Sequence, residues 1–223
     1  LVLALDTFVE PPSSMRPFTE HMGIAIPLLR DNIDTDTIIP SREMKAVSKT
    51  GLTDGLFAPW RYTDATTRSL NTEFALNQDI YAGGTILISG RNFGCGSSRE
   101  HAVWALAEFG VRAIIAQSFG AIFKNNAVRN GILPIELRSP EVEALADWVS
   151  LRPTEHRLTI SLIDQTVTAG PLGTSRFEMD PDAKKMLING LDEIGLTEQI
   201  LSDIEDFEAR DSLARPWIYL KDR

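Results

Sequence analysis

The sequence predicts an α/β fold, in which parallel strands are joined by crossover helices. Three observations carry the prediction. Short apolar runs that read as buried strands lie at 85–90 (TILISG), 111–117 (VRAIIAQ) and 132–137 (ILPIEL). Stretches with helical periodicity fill the gaps between them. The connections are short and punctuated, with Gly110 after the first helical stretch and Asn130-Gly131 after the second.

Taken in order, the first regular element is a strand over 23–30 (GIAIPLLR), rich in apolar and branched side chains. A polar loop with three aspartates follows, DNIDTDTIIP, closed by an apolar pair and a proline. Residues 41–82 contain Gly51, Gly55 and Pro59 and hold no clear period, so a long irregular stretch is expected there. After the strand at 85–90 comes a glycine-bearing loop, RNFGCGSS, and then a helix over REHAVWALAEF. Ala102, Ala105, Leu106 and Phe109 share one face of that helix. A second helix covers 121–129. Ser139-Pro140 opens a third as N-cap and first-turn proline, with Val142, Leu145, Ala146 and Val149 facing inward.

The later part changes character. RLTISLI, QTVTAG and SRFEM read as short strands around a Gly-Pro turn. Asp180-Pro181 starts a helix by the same capping logic. Thr197 starts the last one, whose apolar stripe is Ile200, Leu201, Ile204 and Phe207. Residues 15–223 thus read as one domain with a C-terminal helical appendage. Leu1–Ser14 (LVLALDTFVEPPSS) lacks the basic start of a signal peptide and reads as a disordered extension.

The bulk numbers restrict function. The formal net charge of -9 repels nucleic acid and anionic lipid, so neither is expected as a partner. No apolar run approaches the roughly 18–20 residues of a membrane helix. An anionic substrate would need positive potential gathered locally, from arginines and helix N-termini. Cys95 is the single cysteine. It permits no intrachain disulfide, points to a reducing compartment such as the cytoplasm, and excludes a self-contained thiolate site for zinc or iron–sulfur.

The chemistry concentrates in Gly94-Cys95-Gly96-Ser97-Ser98-Arg99-Glu100-His101, between a strand and an amphipathic helix. Glycines let backbone approach a ligand, and a helix N-terminus offers unpaired N–H groups with partial positive charge. Arg99 falls in the first helical turn, where a cation is locally unfavourable unless an anion bridges both. A serine in this setting has two stabilisers for an alkoxide, which makes it a candidate base. A plainer reading is open: Ser97-x-x-Glu100 is also a capping box. Cys95, with His101 nearby in sequence, is either a thiol nucleophile or a small buried hydrophobe. The segment Asp31-Asn32-Ile33-Asp34-Thr35-Asp36 reads as a solvated acidic loop or an Asx-type turn. It is no calcium loop, because position six is Asp36 and position twelve Arg42 where an EF-hand needs glycine and glutamate.

The two segments GRNFGCGSSREHAVWAL and DNIDTDTIIP, about sixty residues apart, together resemble the signature segments of the aconitase swivelling-domain family. The ending NGLDEIGLTEQI resembles its bacterial-type, separately encoded small subunits, and the likeness runs from Met15 to the C-terminus. The resemblance implies an aconitase-type swivelling domain with a β/α core, short additional strands and C-terminal helices. It implies a hydro-lyase of leucine biosynthesis that interconverts 2-isopropylmalate and 3-isopropylmalate by dehydration and rehydration. No cofactor is expected on this chain. A 4Fe–4S cluster is expected on a large subunit, the partner in a heterodimer, with a small dicarboxylate as substrate. By position, the resemblance makes Ser97 the catalytic base and Arg99 the group that grips a substrate carboxylate. It makes Ser98 a substrate contact and Asp36 an active-site residue; from these positions we read Asp36 as a catalytic residue that orients base or substrate, and Thr35 beside it as a further substrate contact. Residues 41–62 are expected to be mobile until the large subunit orders them.

One departure bears on the substrate. Aconitases carry a further arginine shortly after the aspartate segment, which reads the extra carboxylate of citrate. The stretch here, SREMKAVSKTGLTDGLF, does not match it, and Arg42 is nearby but unaligned. Its loss fits an alkyl group where citrate carries a charge, met by an apolar patch worth ~1–3 kcal/mol of discrimination. A citraconate- or methylmalate-type hydro-lyase fits the same residues, as does a carboxylate-binding module without chemistry.

Overall fold

Strands buried on both faces and strands buried on one face form two separate sheets in the computed structural model, which describes residues 15–44, 48–64 and 66–219. The expected extension, Leu1–Ser14, lies outside the described residues. In chain order the elements are β1 (Glu20–Gly23), β2 (Ala25–Leu28), α1 (Thr35–Ile38), α2 (Ala58–Arg61), β3 (Tyr62–Asp64), β4 (Ser69–Leu70) and β5 (Ile86–Ser89). There follow α3 (Glu100–Phe109), β6 (Ala113–Ala116), α4 (Ala121–Arg129), β7 (Leu133–Glu136), α5 (Ser139–Leu151), β8 (Leu158–Ser161), β9 (Thr166–Thr168) and β10 (Thr174–Arg176). Three helices close the chain: α6 (Pro181–Asn189), α7 (Glu193–Glu198) and α8 (Leu201–Ala214).

β2, β5, β6 and β7 form a parallel sheet in that order, with α3 and α4 as crossovers. Its strands are the near-continuous apolar runs seen in the sequence, because helices or a second sheet cover both faces. Side chains alternate between two cores. Ile86, Ile88, Ala113, Ile115, Leu133 and Ile135 pack with α5, α6 and the strands β8 and β9. Ile26, Leu87 and Ile114 pack with α3 and α4. Each fully buried isoleucine or leucine contributes about 1.5–3 kcal/mol of transfer free energy.

The strand expected over 23–30 is two strands, and burial explains the division. The polar Glu20-His21 half is buried on one side only and joins the antiparallel sheet, ordered β1, β8, β9, β10. The apolar Ala25–Leu28 half is buried on both and joins the parallel sheet. α5 begins one residue earlier than its capping pattern suggests. Arg138 is the N-cap, the Glu141 carboxylate accepts from its N–H and Nε, and the Ser139 hydroxyl donates to Glu143 instead.

Among its described residues the irregular stretch 41–82 holds only 3-10 turns, α2 and the β3–β4 hairpin, yet it is not loosely attached. Leu52, Leu56, Phe57 and Phe74 are buried in the core that α3 shares. The Glu108 carboxylate accepts backbone N–H bonds from Gly51 (2.6 Å), Leu52 (2.6 Å) and Thr53 (3.0 Å). From Gly51 onward, then, the segment is anchored in the chain alone, and the mobility expected for 41–62 does not suit that part of it.

At the C-terminal end, Asp180 caps α6 by accepting from the N–H groups of Asp182 and Ala183. The single helix expected from Thr197 is two. Thr197 lies in α7, and α8 starts after Ile200. Trp217, beyond α8, is exposed. Among the described residues no helix is long and apolar enough to cross a membrane.

Candidate active site

The two sequence segments singled out above meet because β2 and β5 are neighbours in parallel register, with Leu28 opposite Ser89. Parallel pairing brings the loops that follow the two strands to the same, carboxyl edge of the sheet, where ligands of open α/β sheets bind. The loops then zip together beyond the strands. Asn32 N–H donates to Arg91 carbonyl (2.8 Å), Gly94 N–H to Ile33 carbonyl (2.7 Å) and Thr35 N–H to Cys95 carbonyl (3.0 Å). Asn32 and Asn92 both adopt left-handed φ, a conformation asparagine tolerates, and their side chains bond to each other at 2.8 Å. Asp31 receives the Arg91 N–H (2.7 Å) and guanidinium (2.9 Å).

Glycine is required at Gly94 for two reasons. Its φ is +72°, and an added Cβ would lie 2.1 Å from Cγ of Phe123. Gly96, at φ +91°, has space beside it, so only its backbone conformation demands glycine. Together the two turns deliver the chain to Ser97 and Ser98, both exposed, just before α3.

The capping box does not form. The N-cap of α3 is Arg99, two residues after Ser97, and no side chain caps the helix. Arg99 is accordingly outside the first turn, in extended conformation. Ser97 and Ser98 therefore keep their place at the mouth of a ten-residue helix whose first-turn N–H groups carry partial positive charge.

Asp36 sits in α1, a single turn started by Asp34, whose carboxylate accepts the Thr37 N–H at 2.6 Å. Its carboxylate takes a hydrogen bond from Nη1 of Arg99 and pairs with it. The Asp36 side chain remains 56% exposed and that of Arg99 22%, so the pair lies at the surface with the guanidinium the more sheltered partner. Thr35 is different. It is buried, and its hydroxyl donates to the Ser97 carbonyl at 3.0 Å. That geometry suits a residue that holds Ser97 in place rather than the substrate contact expected of it.

Of the five residues picked from the sequence, Thr35 and Ser97 are joined by one hydrogen bond and Asp36 and Arg99 by an ion pair, while Ser98 is exposed and lies between Ser97 and Arg99 in the chain. Sequence reading missed Asp34, Asp31 and Asn92, which fix the loops. Their signal was the Asx-turn propensity of the aspartate segment, but their partners follow only from strand register.

Cys95 does not look like a nucleophile. It is half-buried, its backbone is bridged to Asp34, and burial followed by the Asp34 carboxylate pushes its thiol up from the usual value. His101 lies against the Trp104 ring, with centroids 4.7 Å apart. Among the described residues no group of three or more histidine, cysteine or carboxylate side chains could hold a metal ion.

A family profile described as the aconitase C-terminal domain matches residues 15–140. The chain is 54% identical to a 3-isopropylmalate dehydratase small subunit of Cupriavidus necator, over 92% of this chain and 99% of that protein. It is 46% identical to the protein of the same name from Afipia carboxidovorans, over 92% of this chain and all of that protein. A crystal structure of 3-isopropylmalate dehydratase from Methanocaldococcus jannaschii superposes with a TM-score of 0.61 at 25% identity, covering 84% of this chain and 99% of that one.

Proposed function

Since the chain belongs to the aconitase C-terminal domain family, and within it to the 3-isopropylmalate dehydratase small subunits, we propose that it is the serine half of a two-chain hydro-lyase in leucine biosynthesis. The reaction is the interconversion of 2-isopropylmalate and 3-isopropylmalate: water is eliminated to an alkene and added back with the hydroxyl on the neighbouring carbon. The observation that carries the reading is the open corner made by Ser97, Arg99 and Asp36 at the uncapped mouth of α3.

Ser97 removes the proton on the carbon next to a carboxylate and later returns one. A serine hydroxyl is a weak acid, and its alkoxide is stabilised here by the α3 N-terminus and the neighbouring guanidinium. Arg99 binds that carboxylate. Its five N–H groups allow it to serve the substrate while one remains on Asp36. Asp36 thus aims Arg99, and the buried Thr35 hydroxyl, through the Ser97 carbonyl, keeps the base at the rim. Ser98 offers a second hydroxyl to the substrate.

The 4Fe–4S cluster of such a reaction does not fit this chain, whose lone cysteine is half-buried with a raised pKa. A large subunit would bring it, and with it the Lewis acid for the leaving hydroxyl. Closing that subunit over the exposed serine would exclude water and strengthen each charge interaction. A biosynthetic role and a free cysteine both suit the cytoplasm.

Reconstitution with the large subunit tests the reading. Isopropylmalate should be turned over with the highest kcat/KM of a series that includes methylmalate and citraconate. Arg99→Lys should raise KM about 10–100-fold, since an ammonium cannot replace a bidentate fork. Preference for a methyl-bearing substrate would reassign the enzyme within its family, and anion binding without turnover would reduce the chain to a binding module.

A further inference from the structure

Asp34 stands where both halves of the proposed corner are tied down. It is half-buried, and its backbone forms a parallel bridge with that of Cys95. A Cβ added to Gly96 would lie 3.5 Å from the Asp34 Cβ, so the residue sits against the glycine turn that leads into Ser97. Its carboxylate accepts the Thr37 N–H at 2.6 Å, and its carbonyl accepts from Thr37 (3.1 Å) and Ile38 (3.0 Å). The turn so started, α1, has four residues, and its first two carry the tethers of the corner. The Thr35 hydroxyl holds the Ser97 carbonyl, and the Asp36 carboxylate pairs with Arg99.

A single turn has no cooperative reserve. Nucleating a helix fixes several dihedrals for one hydrogen bond, and very short helices need outside help. Ile33 before the turn, Ile38 at its end and Ile39 just after it are all buried, and they keep the segment on the body of the protein. They fix its ends, but they do not set the path of Thr35 and Asp36 between them. The Asp34 side chain does, because its bond to Thr37 closes the loop that contains those two residues. Asp31, in the same segment, serves Arg91 instead.

We infer that Asp34 is a positioning residue for the reaction: by closing the turn it aims the Ser97 base through Thr35 and the Arg99 guanidinium through Asp36. This rests on the two-chain reading above. What the place requires is an acceptor oxygen rather than a charge, and asparagine caps a turn as well as aspartate whereas alanine does not.

The test reconstitutes variants of the full chain with the purified large subunit and measures kcat and KM for isopropylmalate. Asp34→Ala should lower kcat/KM about 10–100-fold, the cost of misplacing reacting groups by about 1 Å. Both constants should move, kcat down and KM up, since base and carboxylate binder are displaced together. Asp34→Asn should stay within about 3-fold of wild type. Asp180→Ala removes the cap of α6 and controls for lost stability alone; it should keep wild-type kcat and KM. In a double-mutant cycle, the loss from Asp34→Ala with Asp36→Asn should fall short of the product of the two single losses, because part of the first runs through Asp36. Should the alanine variant not fold, Asp34→Gly, milder for stability and equally without an acceptor oxygen, gives the same comparison.

A loss in Asp34→Ala no larger than in Asp180→Ala would overturn the role, as would a full product in the cycle. Asparagine as poor as alanine would overturn it too, by showing that the charge acts rather than the turn. These outcomes leave the two-chain reading intact, whereas a wild-type chain inactive with the large subunit would end both.

Discussion

Ser97, Ser98 and Arg99 were legible because glycines, hydroxyls and a cation crowd one strand–helix junction. What Ser97 does there was not. The same letters spell a capping box, and only the position of the N-cap at Arg99 separates the two readings. Thr35 illustrates the limit from the other side: its hydroxyl is used on the Ser97 carbonyl 62 residues away, a bond set by strand register. Two predictions belong to single residues. Gly94→Ala should destabilise the chain by about 2–4 kcal/mol, through left-handed strain and collision with Phe123. Urea unfolding measures this, and a loss below about 0.5 kcal/mol would show that the loop yields. Cys95→Ser should retain most of the activity of the reconstituted enzyme and resist iodoacetamide no better than wild type, since burial and Asp34 hold the thiol protonated.

The strands and helices of the α/β core were readable from periodicity, because strands covered on both faces must be apolar throughout. Boundaries that depend on tertiary burial were not, as the division of 23–30 into β1 and β2 and of the last helix into α7 and α8 shows. The irregular segment misled most: its buried leucines and phenylalanines have no period to betray them, and its anchor, Glu108, lies on α3. Hydrogen exchange should find the amides of Gly51, Leu52 and Thr53 protected in the isolated chain, and Glu108→Gln should expose them. Between the loops that follow β2 and β5, the backbone N–H and then the guanidinium of Arg91 hold the Asp31 carboxyl below its ordinary 3.8. A carboxyl depressed in the folded state stabilises above its unfolded value, and that contribution is lost as pH falls through the folded one. Unfolding midpoints of wild type and Asp31→Asn should therefore differ well above pH 3.8 and converge as pH falls below the depressed folded value. A difference that holds at both ends would remove Asp31 as the link.

For the molecule as a whole, an acidic body carries on its rim the open corner of Ser97, Arg99 and Asp36, in which the one guanidinium is paired with a carboxylate. The net charge of -9 was plain in the sequence; in the proposed reading Arg99 and the α3 N-terminus supply the local positive potential that an anionic substrate needs. In the proposed reading, the division of labour between two chains is legible chiefly as a shortage of cysteine, with Cys95 alone in this sequence. The exposure of α8 was not legible, because an apolar stripe at helical spacing reads the same whether it is covered or open. The most direct measurement compares alkene formation from isopropylmalate by three preparations: this chain alone, this chain with the large subunit, and Ser97→Ala with the large subunit. The shared-site account predicts activity in the second only, with the serine variant reduced by about 10²–10⁴-fold while its thermal stability and affinity for the large subunit stay at wild-type values. Turnover by the chain alone, or an undiminished serine variant, would contradict it.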